Sequence, residues 1–478
     1  MNPPRAPKPE TPMQKSTIGP LFIAATIAIG AISCKQSPHS PNVLVIVVDT
    51  LRADRLDAVR NGVPTMPKLS RHALEATVFD SAIAQSSWTK PSMVSLFTSL
   101  YAETHGVLFG LSEQFDRDNS ALVDALPAKM ESMAAYFKGH GYATAGVQTN
   151  PHLQATFGFA QGFDRYEFLK SSSAQNVTDT ALQVLPASPG PYFLYAHYID
   201  PHGPYAPPNG YADIFGPAGE LSASGKAALD DWENTYERIA LHRVDPTRGG
   251  PPPEISQATR TELQRRYDGE VRYVDGEIVR LIDSVLARDP NTVIVFTADH
   301  GEEFWEHGEL GHGRTLYQEL IHVPLFIRFP DAKPARIETP VETIDVLPTL
   351  AARLGLPARA HWQGRDIAAP GLVARPVFSA TGGSLRNFDL KLASVREGGF
   401  KMICSGVDGA CRLYNIDTDP GESRDLFGEE SATTKRLADE LARQSRANQS
   451  NPYYSTPKSS APLDEETRRE LGAIGYIQ

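Results

Sequence analysis

Two short runs in this chain are apolar at almost every position, and each stops at an acid. Val43 to Val48 (VLVIVV) ends at Asp49, and Thr292 to Thr297 (TVIVFT) leads through Ala298 into Asp299 and His300. Unbroken β-branched and aliphatic runs of this length describe strands covered on both faces, as in a parallel sheet flanked by helices. Tyr192 to Tyr198 (YFLYAHY) and Pro324 to Phe329 read as a third and a fourth strand. Between them Leu263, Tyr267, Val271, Val274, Ile278, Leu281 and Val285 recur every three or four residues, the spacing of an amphipathic helix. Strands alternating with helices imply an α/β fold with a doubly wound, mostly parallel sheet.

The chain has 478 residues. Single cores stop growing at roughly 250 to 300 residues, so a large domain with a smaller appendage is expected. The sheet domain spans 41–370. From 371 to 447 the pattern turns to short strands, Pro376 to Ser379, Lys391 to Val395, Phe400 to Cys404 and Cys411 to Ile416, the mark of a small antiparallel subdomain. The stretch 448–478 reads as a polar, Pro-rich, extended tail with a short helix near Asp464 to Leu471. Phe215 to Ile255, rich in Gly, Pro, Ser and charge, reads as an insertion or lid over the sheet edge.

Residues 1–34 carry Arg5, Lys8 and Lys15, then an apolar run from Ile18 to Ile32 that ends in Ser33 and Cys34. The run is shorter than the roughly 20 residues a spanning helix needs, and it reads as an export signal. Ser33 before Cys34 is similar to a lipoprotein signal, so lipid attachment at Cys34 ranks ahead of simple secretion, with an uncleaved anchor third. The expected location is the periplasm or cell envelope. Cys404 and Cys411 flank an Asp-Gly turn, and in an oxidising compartment they can form a structural disulfide across one hairpin.

The net charge of −11 and the lack of a Lys/Arg block exclude a nucleic-acid partner. An anionic substrate must therefore be met locally. In open parallel sheets ligands bind beyond the carboxyl ends of the strands, where Asp49, Asp299 and His300 all lie. Two carboxylates and an imidazole suit a divalent cation such as Zn, Mn, Mg or Ca. Alone, Asp49 reads as a helix cap and Asp299 as a charged turn; together they favour a metal. Thr89, in SSWTKPSMVSLFTSL, precedes an apolar helical face opened by Pro91, so its hydroxyl stands at the positive end of a helix. On local grounds it reads equally well as a plain cap. HYIDPHGPYAPP places His197, Asp200 and His202 at the same sheet edge, and GHGR places His312 and Arg314 nearby; such histidines can protonate a leaving alkoxide or bind the substrate anion.

PNVLVIVVDTLRADRL, SSWTKPSMVSLFTSLYAETHGV, YIDPHGPY, TADHGEEFWEHGELGHG, LYQELIHVPLFIR and LYNIDTDPGESRDL, in that order, resemble the bacterial sulfatase-like branch of the alkaline phosphatase superfamily. The resemblance covers nearly the whole chain after the signal. It implies an alkaline-phosphatase-like sheet with a metal at its carboxyl edge, a nucleophile at a helix start and a small C-terminal antiparallel sheet. Asp49, Asp299 and His300 match metal ligands and His202 matches the substrate-side histidine. The chain departs from formylglycine sulfatases, whose Cys-x-Pro-x-Arg pattern is here Thr89, Lys90, Pro91, Ser92 and Met93. Threonine cannot yield the aldehyde. Thr50 stands where a second aspartate is common, and VQTNPHL, with Asn150, replaces a Lys-Trp-His segment. Asn150, His197 and Arg314 are the expected substrate contacts.

These departures point to the threonine-type members, in which the threonine oxygen also completes the metal site. The expected activity is metal-dependent hydrolysis of sulfate, phosphate or phosphonate esters, with Thr89 as nucleophile and His202 or His312 as acid. The expected partner is an anionic ester substrate, glycan- or lipid-linked esters among the candidates. The alternatives are a phospho-alcohol transferase acting on envelope glycans or lipids, and a non-catalytic binding protein on the same fold.

Overall fold

The computed structural model describes residues 40–108, 122–170, 172–187, 190–232, 234–235, 238–239, 255–382, 391–454, 459–462 and 465–467, besides scattered single residues near both ends. The export signal and Cys34, part of the expected lid and half of the expected final helix lie outside the described residues.

The apolar runs form the strands at the centre of a nine-stranded sheet. Its main strands are β1 (Asn42–Val48), β2 (Thr77–Ile83), β3 (Ala143–Gln148), β4 (Arg165–Phe168), β5 (Tyr192–Tyr198), β6 (Thr292–Ala298), β7 (His322–Arg328) and β8 (Ala335–Ile337). Their spatial order is β8-β2-β7-β6-β1-β5-β3-β4, and the short strand Val341–Glu342 also pairs with β2. Every residue of β1, β5 and β6 is buried, which accounts for sequences with no polar alternation.

Only β7 opposes the other strands, pairing antiparallel with both β6 and β2. The alternation of strands and helices had implied a parallel neighbour. The reason for the difference lies in the link from β6 to β7, which holds only the two-residue strands Glu303–Phe304 and Leu310–Gly311 and the four-residue helix Gln318–Ile321. Without a crossover helix the chain cannot return to the far edge, so β7 starts where β6 ends.

Helices cover both faces. Helix α1 (Thr89–Thr98) is buried along its whole length, with the Phe97 ring against Tyr195 of β5 at 5.0 Å. On the opposite face α2 (Ala174–Val184) and α3 (Gln257–Arg288) pack together, and Thr178 of α2 bonds the Tyr198 hydroxyl. The spacing of apolar residues predicted α3, and Tyr267, Val271, Val274, Ile278, Leu281 and Val285 are all buried.

The second sheet is antiparallel and ordered β9 (Val377–Thr381), β10 (Leu392–Glu397), β11 (Phe400–Ser405) and β12 (Cys411–Asn415). Cys404 and Cys411 face each other in register on β11 and β12 and are joined by a disulfide. Helix α4 (Ser431–Ser450) packs on this sheet through buried Leu437 and runs past the expected boundary at 447. The tail is not simply extended: Ser459–Pro462 returns to pair antiparallel with Leu122–Ala125. Residues 39–478 form one compact unit. Among the described residues no helix is long and apolar enough to cross a membrane.

Candidate active site

Parallel strands deliver their last residues to one edge, and three neighbours in the sheet do so here. Asp49 follows β1, Asp299 and His300 follow β6, and His197 lies near the end of β5. Thr50 adopts a left-handed backbone, φ 55°. That turn points its N–H at Asp299 Oδ1, at 3.3 Å, while its carbonyl accepts from the Tyr267 hydroxyl of α3 at 2.8 Å.

Thr89 reaches the same point from α1. Trp88, with extended φ and ψ, occupies the cap position, so Thr89 is the first helical residue and not the cap. Its Oγ1 lies 3.3 Å from His300 Nε2 and accepts from Asn150 Nδ2 at 3.3 Å. The Asn150 amide is oriented by its own turn, since its Oδ1 accepts from the His152 N–H at 2.8 Å. The same Nδ2 donates to Asp49 Oδ2 at 2.6 Å. His300 Nδ1 lies 2.8 Å from the Gly301 carbonyl, which can only accept, so Nε2 presents a lone pair to Asp49 Oδ1 and Asp299 Oδ2, each 3.5 Å away. His197 Nε2 is 3.7 Å from Asp49 Oδ2.

These groups are fully buried, yet several atoms have no hydrogen-bond partner: Asp49 Oδ1, Asp299 Oδ2 and both ring nitrogens of His197. Orphaned buried carboxylate oxygens are costly, and here they converge. Ligand atoms of Asp49, His197 and Asp299 lie within 4.8 Å of one another. The set of hard oxygens and neutral imidazoles fits a divalent cation. Without one, burial raises the Asp49 carboxyl to about 6 and Asp299 well above its usual range, and lowers His197 to about 3. His197, read from the sequence as a substrate contact, thus sits within the ligand cluster.

The expected acids lie beside this cluster. His202 Nδ1 bonds the Gly203 carbonyl at 2.7 Å, and His312 Nδ1 bonds Glu302 Oε1 at 2.9 Å. The two rings are 5.0 Å apart, and His312 is 4.4 Å from His300. Arg314 is half-buried on the loop whose Gly313 N–H donates to Ser87, just before α1. Sequence reading missed three residues here. Glu302 looked like part of a charged turn. His152 is buried edge-on against Trp88, 5.5 Å between ring centres, and Lys90 and His202 add to the burial that drives its charge off. Lys90 is buried beside Thr89, donating to the Asp124 carbonyl at 3.0 Å and standing 4.4 Å over the Phe157 ring. Two signals were available: a lysine directly after Thr89, and a histidine in the segment replacing Lys-Trp-His.

Glu303, His307 and Glu319 also gather closely. Both nitrogens of His307 are engaged there, with Glu319 at 2.6 Å and the Glu422 carbonyl at 3.3 Å, which describes a half-buried imidazolium strut.

A family model for sulfatases matches residues 41–356. The chain belongs to the sulfatase family, within the alkaline phosphatase superfamily, and is a hydrolase of ester bonds. Among its relatives is an uncharacterized sulfatase of Escherichia coli, YidJ, 25% identical over 65% of this chain and 67% of that protein. Another is a multifunctional alkaline phosphatase superfamily protein of Trinickia caryophylli, PehA, 25% identical over 68% of this chain and 76% of the relative. The chain therefore spans about two thirds to three quarters of these relatives. The phosphonate monoester hydrolase of Agrobacterium radiobacter has the same fold, with a TM-score of 0.68 at 20% identity, covering 85% of this chain and 96% of the other. So does an enzyme solved with its substrate D-glucosamine-2-N,6-O-disulfate, with a TM-score of 0.69 at 19% identity over 87% of this chain and the whole of the other.

Proposed function

We propose that this sulfatase-family member is a metal-dependent hydrolase of anionic esters that uses Thr89 as its nucleophile, with phosphate or phosphonate esters preferred over sulfate. One observation carries the reading: the Thr89 hydroxyl enters, at a helix N-terminus, a buried cluster whose Asp49 Oδ1 and Asp299 Oδ2 are left without a hydrogen-bond partner. Asp49, Asp299, His300 and the Thr89 oxygen would hold the ion, with His197 in reach as a further ligand. A divalent cation bound there supplies Lewis acidity, lowering the pKa of the Thr89 hydroxyl and neutralising the ester's oxygens.

The Thr89 hydroxyl loses its proton to solvent water, its oxygen attacks the central phosphorus or sulfur, and the bond to the departing alcohol breaks. His202 or His312 gives that alcohol its proton. Asn150 holds Thr89 and Asp49 together through one amide nitrogen, and the N-terminal N–H groups of α1 face the anion. Water then attacks the central atom of the Thr89 ester and releases the acid. The preference for phosphorus follows from this last step. A formylglycine hydrate keeps a second hydroxyl that can expel sulfate without renewed attack at sulfur, and a threonine ester has none.

The N-terminal segment supports an exported enzyme held at the envelope by lipid on Cys34, with esters of envelope glycans or lipids within its reach.

The test is an assay of the purified protein on nitrophenyl sulfate, phosphate monoester, phosphodiester and phosphonate substrates, before chelation, after it, and after return of Zn, Mn, Mg or Ca. Chelation should abolish turnover, and one of the ions should restore it. Thr89→Ala should then lower kcat by on the order of 10⁴-fold or more, as loss of a nucleophile does. No turnover on any substrate after metal return would overturn the proposal.

A further inference from the structure

His202 and His312 arrive at the site on two separate segments, and one carboxylate touches both. Glu302 Oε1 bonds His312 Nδ1 at 2.9 Å, on the segment that follows the strand Leu310–Gly311. Its other oxygen, Oε2, accepts from the Tyr205 hydroxyl at 3.0 Å, three residues beyond His202 in the Pro-rich loop. Glu302, Tyr205 and His312 are all buried. The backbone of Glu302 is held as well: its carbonyl accepts from Arg52 Nη1 at 3.0 Å, and Arg52 is paired in turn with Asp54 and Glu306.

The two histidines differ in what stands behind them. His202 Nδ1 meets the neutral Gly203 carbonyl at 2.7 Å, whereas His312 Nδ1 meets a carboxylate. A ring whose Nδ1 is fixed in this way has its other nitrogen aimed outward along a single direction. The rings of His300 and His202 stand 4.4 and 5.0 Å from that of His312.

We infer that Glu302 is the positioning residue of this site: it holds the Nδ1–H of His312 so that the protonated ring gives its Nε2–H to the departing alcohol, assigns His312 over His202 as that donor, and through Tyr205 sets the distance between the two histidine-bearing segments. The inference rests on the ester-hydrolase reading above. It adds an acid held by a carboxylate, a relation in which the orienting group never touches the substrate.

Leaving groups provide the test. A nitrophenolate departs without a proton, while a simple alkoxide needs one, so a misaimed His312 harms alkyl esters selectively. Using the protein loaded with whichever ion restores turnover and paired nitrophenyl and methyl esters of one acid, Glu302→Gln should lower kcat on the methyl ester by on the order of 10²-fold. On the nitrophenyl ester the loss should stay within about fivefold, with KM for both moving less than about threefold. His312→Gln should show the same selectivity, and adding Glu302→Gln to it should cost nothing further, because the two act as one unit. Tyr205→Phe, which removes only a hydroxyl, should give a smaller loss of the same kind and keeps the test open if Glu302→Gln folds poorly. Nitrogen-15 spectra should show the Glu302-bonded Nδ1–H of His312 in the parent, whatever the state of Nε2, and lose that signature in Glu302→Leu. Equal losses on both esters, or additive losses in the double variant, would overturn the inference. A parent enzyme inactive on both esters would instead strike at the hydrolase reading, before any variant is made.

Discussion

Two buried acid pairs flank helix α1, and they are finished differently. Beyond its C-terminal end, where Ser99 bonds the Ile344 carbonyl, lie Glu342 and Asp345. Every carboxylate oxygen of that pair is engaged: by the Phe378 N–H, the Tyr101 hydroxyl, the Glu342 and Arg365 N–H groups, and the Arg375 guanidinium. At the N-terminal end Asp49 Oδ1 and Asp299 Oδ2 have no hydrogen-bond partner. Both pairs are fully buried and both carry carboxyls raised by burial. Burial and a perturbed pKa therefore do not tell a site from a strut. For these two pairs completion of the hydrogen bonds does: the acids that hold the protein together here are satisfied, and those that converge on the site are left open.

The largest effect should come from closing the open pair. Asp299→Asn keeps the Oδ1 that accepts from the Thr50 and His300 N–H groups and replaces only the orphaned oxygen. Turnover should fall by at least about 10³-fold, roughly 4 kcal/mol, with bound metal lost. The metal-free protein should be as stable as the parent or about 1 kcal/mol more so, since one buried charge is gone. Metal analysis and calorimetry measure both. A variant that keeps its metal, or unfolds several degrees early, would break the comparison.

The open pair could be anticipated from sequence because its acids end strands, and strand ends meet at one edge whatever the packing. The finished pair could not. Glu342 ends the short strand Val341–Glu342 and Asp345 ends the single 3-10 turn after it, and only tertiary packing brings Arg375 and Tyr101 to them. The same limit explains the strand direction of β7, which depends on what its link lacks, and Glu302, whose partners come from segments 97 residues earlier and 10 residues later. His197 was legible as a site residue, but its ligand-side position required knowing that β5 lies directly beside β1. Thr89 shows the limit most plainly: its local sequence describes a helix start, and only Asn150 and His300 distinguish it from any other.

The finished pair should answer to stability instead of turnover. Arg375→Met would leave two buried carboxylates facing each other without their cation. Breaking a buried ion pair costs about 3 to 5 kcal/mol, and because Arg375 is 27% exposed the lower figure applies. Denaturant titration should show a loss of about 3 kcal/mol. Turnover per folded molecule should stay within about twofold, because no part of the cluster reaches Thr89. A loss of metal in this variant would mean the two ends of α1 are coupled.

The smallest effect extends the comparison from acids to imidazoles. His105 is completed at both nitrogens, with Nδ1 accepting from the Val107 N–H at 3.1 Å and Nε2 donating to Ser95 Oγ at 3.0 Å, whereas His197 has neither bond. Burial lowers His105 to about 3. Its folded pKa lies below the unfolded value of about 6.5, so the unfolded chain takes up the proton first as pH falls. The stability this neutral ring protects is complete above about pH 6.5 and drains away on the way down toward about 3. Between about pH 7.5 and about pH 5 the loss should be on the order of 2 kcal/mol. His105→Gln, which retains one donor and one acceptor but cannot titrate, should be less stable than the parent at neutral pH and lose less on acidification. Denaturant midpoints at the two pH values measure the difference, and parallel slopes for the two proteins would show that completing a buried ring does not make it a neutral structural part.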